Sequence, residues 1–230
     1  MKKTMWIAMV GAFAASIVAA SAQEVLSANA VGYIKRTVKA GGKLETFSLS
    51  LNNMNEISNV FGRTSVAQEA PRNSTVYFWD GLQWVGGPKG MSGWGVWSNR
   101  VVLPGEGFFI KSPATSTVDI AITITGEVPD DSSFQRGITG SSNITLVANP
   151  YPVDFVFGSS VLATGAVRNS TVSFWDITQN GGNGAWVGGP KGMAGWGVWS
   201  NRVVQAGEAF AFKEAGSSRI WESAKPYTWP

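Results

Sequence analysis

Between Val118 and Ile124 apolar residues occupy every second position. Val118, Ile120, Ile122 and Ile124 alternate with polar or small residues. That period of two puts all four on one face of a half-buried strand. Val31–Val38, Phe47–Leu51, Thr75–Trp79, Gly107–Lys111 and Thr117–Thr125 are the strands predicted for the first half of the chain. Each is rich in β-branched or aromatic residues and bounded by turn formers. Glu56–Phe61 and Val153–Val161 each fit a short helix or an irregular crossover. After residue 22 no amphipathic helical pattern exceeds about ten residues. Many short strands at regular spacing predict an all-β fold of the sandwich or barrel kind.

The pattern occurs twice. Residues 84–102 read WVGGPKGMSGWGVWSNRVV and residues 186–204 repeat them, with only Ser92 and Ala194 differing. Arg72–Val76 matches Arg168–Val172, and Phe78-Trp79-Asp80 matches Phe174-Trp175-Asp176. Pro104–Phe108 answers Ala206–Phe210, and Lys111 answers Lys213. Upstream the likeness fades, but Phe47-Ser48-Leu49 with Asn52 resembles Ile144-Thr145-Leu146 with Asn149. The register slips by six residues inside Ile177–Ala185, a Gly/Asn-rich stretch suited to a surface hairpin loop. A repeat of this length predicts two tandem β-sandwich-like modules, residues 23–126 and 127–230, divided in the turn-rich Gly126–Ser133. The alternative is one merged sandwich or barrel.

The first residues read as an export signal. Lys2-Lys3 precede an apolar run, Met5–Ala20, and Ala20-Ser21-Ala22 has the small-x-small form of a cleavage site after Ala22. An uncleaved anchor is the alternative, for which the run is short. Residues 1–22 hold two lysines and no acids, so the chain's charge of +3 falls to +1 beyond them. Clustered positive charge, which nucleic acids and anionic membranes require, is therefore not expected. No later segment is long and apolar enough to predict a transmembrane helix. Cysteine and histidine are both absent. Disulfides, thiol catalysis, Cys- or His-ligated metals and histidine general bases are thereby excluded. No cofactor is expected.

The candidate chemistry lies in the repeat. Trp84, Trp94 and Trp97 recur as Trp186, Trp196 and Trp199. If residues 94–97 form a strand, Trp94 and Trp97 point to opposite faces, one into the core and one outward. An outward indole can stack on a sugar ring or pack against another protein. Alternatively all six rings are core, with glycines making room for them. Lys89 and Lys191 sit in a G-G-P-K-G loop that lacks the P-loop pattern. They either contact an anionic group or keep the loop solvated. Asp80 with Glu106, and Asp176 with Glu208, are the carboxylates a glycosidase would need, although Asp after a strand is commonly a turn former. Asp130-Asp131 lacks a calcium-loop pattern. Asn73, Asn143 and Asn169 each begin an N-x-S/T triplet and read as entries from turn to strand.

Asn143–Pro152 (NITLVANPYP), then Trp175-Asp176, then Gly207-Glu208-Ala209-Phe210 resembles modules of bacterial secreted surface proteins. Those carry N-L-x-x-N-P-Y-P, a later W-D and a closing G-x-G-F-F strand. The first half keeps Trp79-Asp80 and Gly105–Phe109 but has Asn52-Asn53 in place of Asn-Pro. The second half has Ala209 in place of the last Gly. The opening Ser27–Tyr33 (SANAVGY) is similar to the start of exported proteins of this kind. The resemblance implies a β-sandwich at the cell surface but does not imply any particular activity.

The expected function is a non-enzymatic extracellular structural or adhesive surface protein. Its expected partners are further copies of itself or cell-surface and matrix components. Ala28–Val38 is a candidate for pairing with a neighbouring sheet edge. The runner-up is a carbohydrate-binding protein using the exposed tryptophans.

Overall fold

The computed structural model describes residues 30–52, 59–141 and 143–228. The expected export signal and residues 56–58 lie outside them. The strands are β1 (Val31–Val38), β2 (Leu44–Ser48), β3 (Thr75–Trp79), β4 (Trp84–Pro88), β5 (Gly107–Lys111), β6 (Ile120–Glu127) and β7 (Ser133–Ile138). They continue with β8 (Ile144–Ala148), β9 (Phe155–Val156), β10 (Thr171–Asp176), β11 (Ala185–Pro190), β12 (Val203–Val204), β13 (Ala209–Lys213) and β14 (Arg219–Ala224). All pairings between them are antiparallel, and among the described residues no sheet closes into a barrel. The chain is all-β.

The duplication governs the topology. One sheet has the order β2-β5-β3-β4 and the other β8-β13-β10-β11. Each strand takes the place of its counterpart in the other half. The relation extends to segments whose sequences have diverged, since the ribbon β1–β6 is matched by β7–β14. Strand pairing also corrects the upstream match. Phe47 stands opposite Phe108 and Val147 opposite Phe210, so Val147, not Ile144, is the counterpart of Phe47. The likeness of F-S-L to I-T-L is a three-residue slip between two short apolar stretches.

Each half encloses its own core between its four-stranded sheet, its ribbon and a short helix. Phe47, Phe78, Phe108 and Ile110 from the first sheet meet Val38, Ile122 and Ile124 of the ribbon. Phe61 packs edge-on to Phe78 and Phe108, with centroids 5.3 and 5.6 Å apart. Phe157 does the same to Phe174 and Phe210 in the second half. Each such fully buried ring contributes about 1.5–3 kcal/mol. The alternation expected around Ile122 and Ile124 holds, but Val118 precedes the strand and is exposed. The second strand begins at Leu44 and ends before Leu49, three residues earlier than expected. Val153–Val161 is an irregular crossover with the two-residue strand β9 and a single turn of 3₁₀-helix. Val31–Val38 pairs with β6 along its whole length in a two-stranded sheet.

The two sheets face each other, and both halves fall in a single compact unit. Contacts across the junction are reciprocal. Ser48 N–H donates to Gly207 O at 2.9 Å, and Ala148 N–H donates to Gly105 O at 2.9 Å. The Trp79 indole N–H donates to Ile144 O at 2.9 Å, and that of Trp175 to Leu44 O at 2.9 Å. Exchanging the halves converts each bond into its partner, as in the isologous interface of a twofold dimer. The residues of β5 and β13 that face away from the cores fill this interface. At its centre Gly107 lies against its own counterpart, Ala209, and a Cβ added at Gly107 would come within 2.4 Å of the Ala209 Cβ. Gly107→Ala is expected to destabilise the fold by about 1–3 kcal/mol through this overlap. Adding Ala209→Gly is expected to recover most of the loss, read from urea unfolding midpoints. Additive losses in the double variant would contradict the contact.

Candidate functional site

The repeated segment forms the outer strand of each sheet and then folds back over the core. β4 pairs with β3 through two glycines that permit close approach. A Cβ on Gly86 would lie 1.8 Å from Val76 O, and one on Gly87 would lie 2.8 Å from the Trp97 Nε1. Gly188 and Gly189 repeat this against Val172 and Trp199. The Trp97 and Trp199 rings therefore cover the glycines of their own edge strands. Their other faces tilt against Phe78 at 6.2 Å and Phe174 at 5.9 Å.

Residues 94–97 are not a strand. Gly95 has φ +58, and Gly95–Asn99 is a 3₁₀-helix with Trp97 N–H on Trp94 O at 3.2 Å. Trp94 and Trp97 therefore do not point to opposite faces. Trp94 is buried, its indole N–H donating to Ala67 O at 2.9 Å, and Trp97 packs half-buried beside it. Trp196 is buried in the same way, on Ala163 O at 3.0 Å. Burial removes Trp94 and Trp196 from ligand contact.

Lys89 is not a solvated loop lysine. Its ammonium donates to Ala67, Gln68 and Ala70 carbonyls at 2.9, 3.0 and 2.6 Å, at the C-terminal end of the helix Ser65–Glu69. Lys191 donates to Ala163, Thr164 and Ala166 at 3.1, 3.1 and 2.7 Å, at the end of the helix Val161–Thr164. Each lysine satisfies carbonyls that a helix end leaves unpaired, and its charge suits that end of the dipole. Burial holds the Lys89 ammonium below the usual lysine range.

The carboxylates also have structural partners. Glu106 binds Arg100 at 2.6 Å and the Leu103 N–H at 2.9 Å, and Glu208 binds Arg202 at 2.5 Å and the Gln205 N–H at 2.9 Å. Burial pushes the Glu208 carboxyl up from its ordinary value. Asp80 accepts the Gln83 and Leu82 N–H groups, which lower it, and Asp176 is lowered by Thr178 and Gln179. Both aspartates close the turn after a strand, the alternative to a catalytic role. Asn73 and Asn169, each at φ +68, are the turn residues before β3 and β10.

The remaining candidates, Trp84 and Trp186, meet at the junction of the halves. Trp84 pairs with Trp79 at 5.2 Å and Trp186 with Trp175 at 5.4 Å. Phe109 stands between the pairs, 5.1 Å from Trp84 and 5.6 Å from Trp186. Trp84, Phe109, Trp175 and Trp186 floor an apolar groove of about 290 Å³, completed by Leu44 and Tyr77. Trp79, Trp175, Phe109 and Tyr77 were not among the sequence candidates. The signal for the two tryptophans was the W-D pair repeated in both halves.

A second feature is the exposed tip of the repeat. Met91 and Val96 are 86 % and 80 % exposed, and Met193 and Val198 are 88 % and 81 % exposed. The tips are closed by Gly90 N–H on Gly93 O at 2.7 Å and Gly192 N–H on Gly195 O at 2.8 Å. Among the described residues no helix is long and apolar enough to cross a membrane, and no cluster of three metal-ligating residues occurs. No protein-family model, curated protein or solved structure matches the chain.

Lys191→Met is expected to lower stability by about 1–3 kcal/mol, because three carbonyls lose a charged donor. Amide exchange at Gly192–Gly195 is expected to accelerate with it. Unchanged exchange there would show that the lysine does not hold the tip.

Proposed function

We propose that this chain is a non-enzymatic, exported structural protein of the cell surface that links copies of itself through its two repeated tips. The carrying observation is the sameness of residues that packing does not constrain. Lys89, Trp94 and Trp97 have identical counterparts because each anchors the same local fold. Met91 and Val96 touch little of their own chain, yet Met193 and Val198 repeat them. Paired apolar side chains on an otherwise glycine-rich, closed tip are suited to burial against another surface. The methionine adds a flexible thioether that adapts to its neighbour.

The internal twofold makes the molecule bivalent. Two equivalent tips give a head-to-head contact at each end of every link, which extends into chains instead of closing as dimers. Each tip is small, so a single contact is weak and the assembly depends on multiplicity. The export signal and the likeness to secreted surface modules support placement outside the cell.

Sedimentation velocity and negative-stain microscopy of the purified protein test this. The unchanged chain is expected to form concentration-dependent linear assemblies. Met91→Ser with Val96→Ser leaves one working tip and is expected to stop growth at dimers. Adding Met193→Ser and Val198→Ser is expected to leave monomers. A monomeric parent, or assemblies unaffected by the four substitutions, would overturn the proposal.

A further inference from the structure

Trp175 separates two hollows at the junction of the halves. On one side is the aromatic groove, which offers only apolar surface. On the other is a cavity of about 480 Å³ lined by Arg36, Glu45, Asp176, Trp199, Arg202 and Glu208 among others. Trp175 borders both, and the adjacent residues Leu44 and Glu45 contribute one to each. The volume lies in the range of small-ligand pockets, roughly 300–1,000 Å³.

The internal symmetry separates what this cavity needs for folding from what it has in addition. Arg36 Nη2 donates to Thr46 O at 3.2 Å, and its counterpart Arg136 donates to Leu146 O at 3.2 Å. Arg202 and Glu208 have counterparts in Arg100 and Glu106, Trp175 in Trp79, and Trp199 in Trp97. That frame occurs in both halves and is sufficiently explained by the fold. Three elements are not repeated. Gln205, which accepts from Arg36 Nη1 at 3.1 Å, stands where the first half has Leu103. Glu45 stands where the second half has Thr145, as their pairing opposite Ile110 and Phe212 shows. Ile177 and Gln179 come from the loop inserted in the second half alone. All three face the same cavity.

Glu45 is held at 3.2 Å from Arg36, their side chains only 15 % and 10 % exposed. Its Oε1 accepts from Arg36 and from the Thr46 N–H. No described residue hydrogen-bonds to its Oε2, which is left to accept from a ligand. The walls therefore offer carboxylate acceptors, guanidinium and amide donors, and the Trp175 ring, with Trp199 packed behind them. Three carboxylates against two guanidiniums disfavour an anion. A neutral polyhydroxylated ring suits the set: hydroxyls donate to carboxylates and accept from guanidiniums, while the C–H face of the ring lies on an indole.

We infer that this side of the junction is a binding site for a neutral oligosaccharide seated across Trp175. One sugar unit occupies the charged cavity, and its neighbour lies on the aromatic groove of Trp84, Phe109 and Trp186. The site is independent of the apolar tips and does not require self-association.

Calorimetric titration with cellohexaose, xylohexaose, mannohexaose and chitohexaose, and with an alginate hexamer as anionic control, tests the inference. Saturable binding of at least one neutral hexamer is expected, with none of alginate. Glu45→Thr, which installs the residue the other half uses, is expected to weaken binding at least about tenfold. Trp199→Ala is expected to do the same. Trp97 does not line this cavity, so Trp97→Ala removes equivalent packing from the other half and is expected to leave affinity unchanged. Absence of binding to all four neutral hexamers, a preference for alginate, or equal losses from Trp97→Ala and Trp199→Ala would overturn the assignment.

Discussion

The close approach of β5 to β13 is the constraint on which the rest of the molecule depends. Two four-stranded sheets already carry a core on one face each. Their other faces can be buried only against each other, and only if something small lies at the centre. Gly107 against Ala209 meets that need. Around this point the backbone bonds from Ser48 to Gly207 and from Ala148 to Gly105 fix the register. The indole bonds of Trp79 and Trp175 fix it again farther out. These donors and acceptors lie at or near a buried surface, where an unpaired group costs about 1–3 kcal/mol. The halves are thus held to one arrangement by polar groups as well as by apolar area.

Much of this was legible in the sequence, and the failures have identifiable causes. The duplication, the all-β class and the spans Thr75–Trp79 and Gly107–Lys111 follow from alternation and turn residues. The 3₁₀-turn at Gly95–Asn99 was missed because W-G-V-W satisfies a strand pattern as well as a turn. The positive φ of Gly95 decides the matter, and no pattern encodes it. Lys89 was misplaced because its three partners are backbone carbonyls some twenty residues away, which side-chain identities do not report. The pairing of β7 with β14 was invisible, since these strands share almost no residues with β1 and β6. Ribbon residues need only alternate correctly to cover a core, so their identities drift while their pairing stays.

The tryptophans divide by what each indole N–H can reach. Trp94 and Trp196 find a helix-end carbonyl within their own half and are buried there. Trp79 and Trp175 find a strand carbonyl in the opposite half and become part of the junction. Trp84 and Trp186 pack on those junction rings and carry the aromatic surface outward. A single residue type thus serves the core, the junction and the surface, and in the core and junction positions of the repeat the indole N–H finds a backbone carbonyl.

A duplicated chain also separates structural from additional demands without reference to any other protein. Where the halves agree at buried positions, as at Phe61 and Phe157 or Arg100 and Arg202, the shared fold is a sufficient cause. Agreement at exposed positions, as at Met91 and Met193, is not required by burial. Disagreement within a conserved frame is the opposite case. Glu45 against Thr145 places a partly buried carboxylate on one side of the junction, where the symmetric solution shows that folding does not require it. Burial raises the Glu45 carboxyl above its ordinary value, so its presence has a cost that Arg36 only partly offsets. A group retained at such a cost, beside a loop inserted only there, is more economically explained by what it can bind than by what it supports.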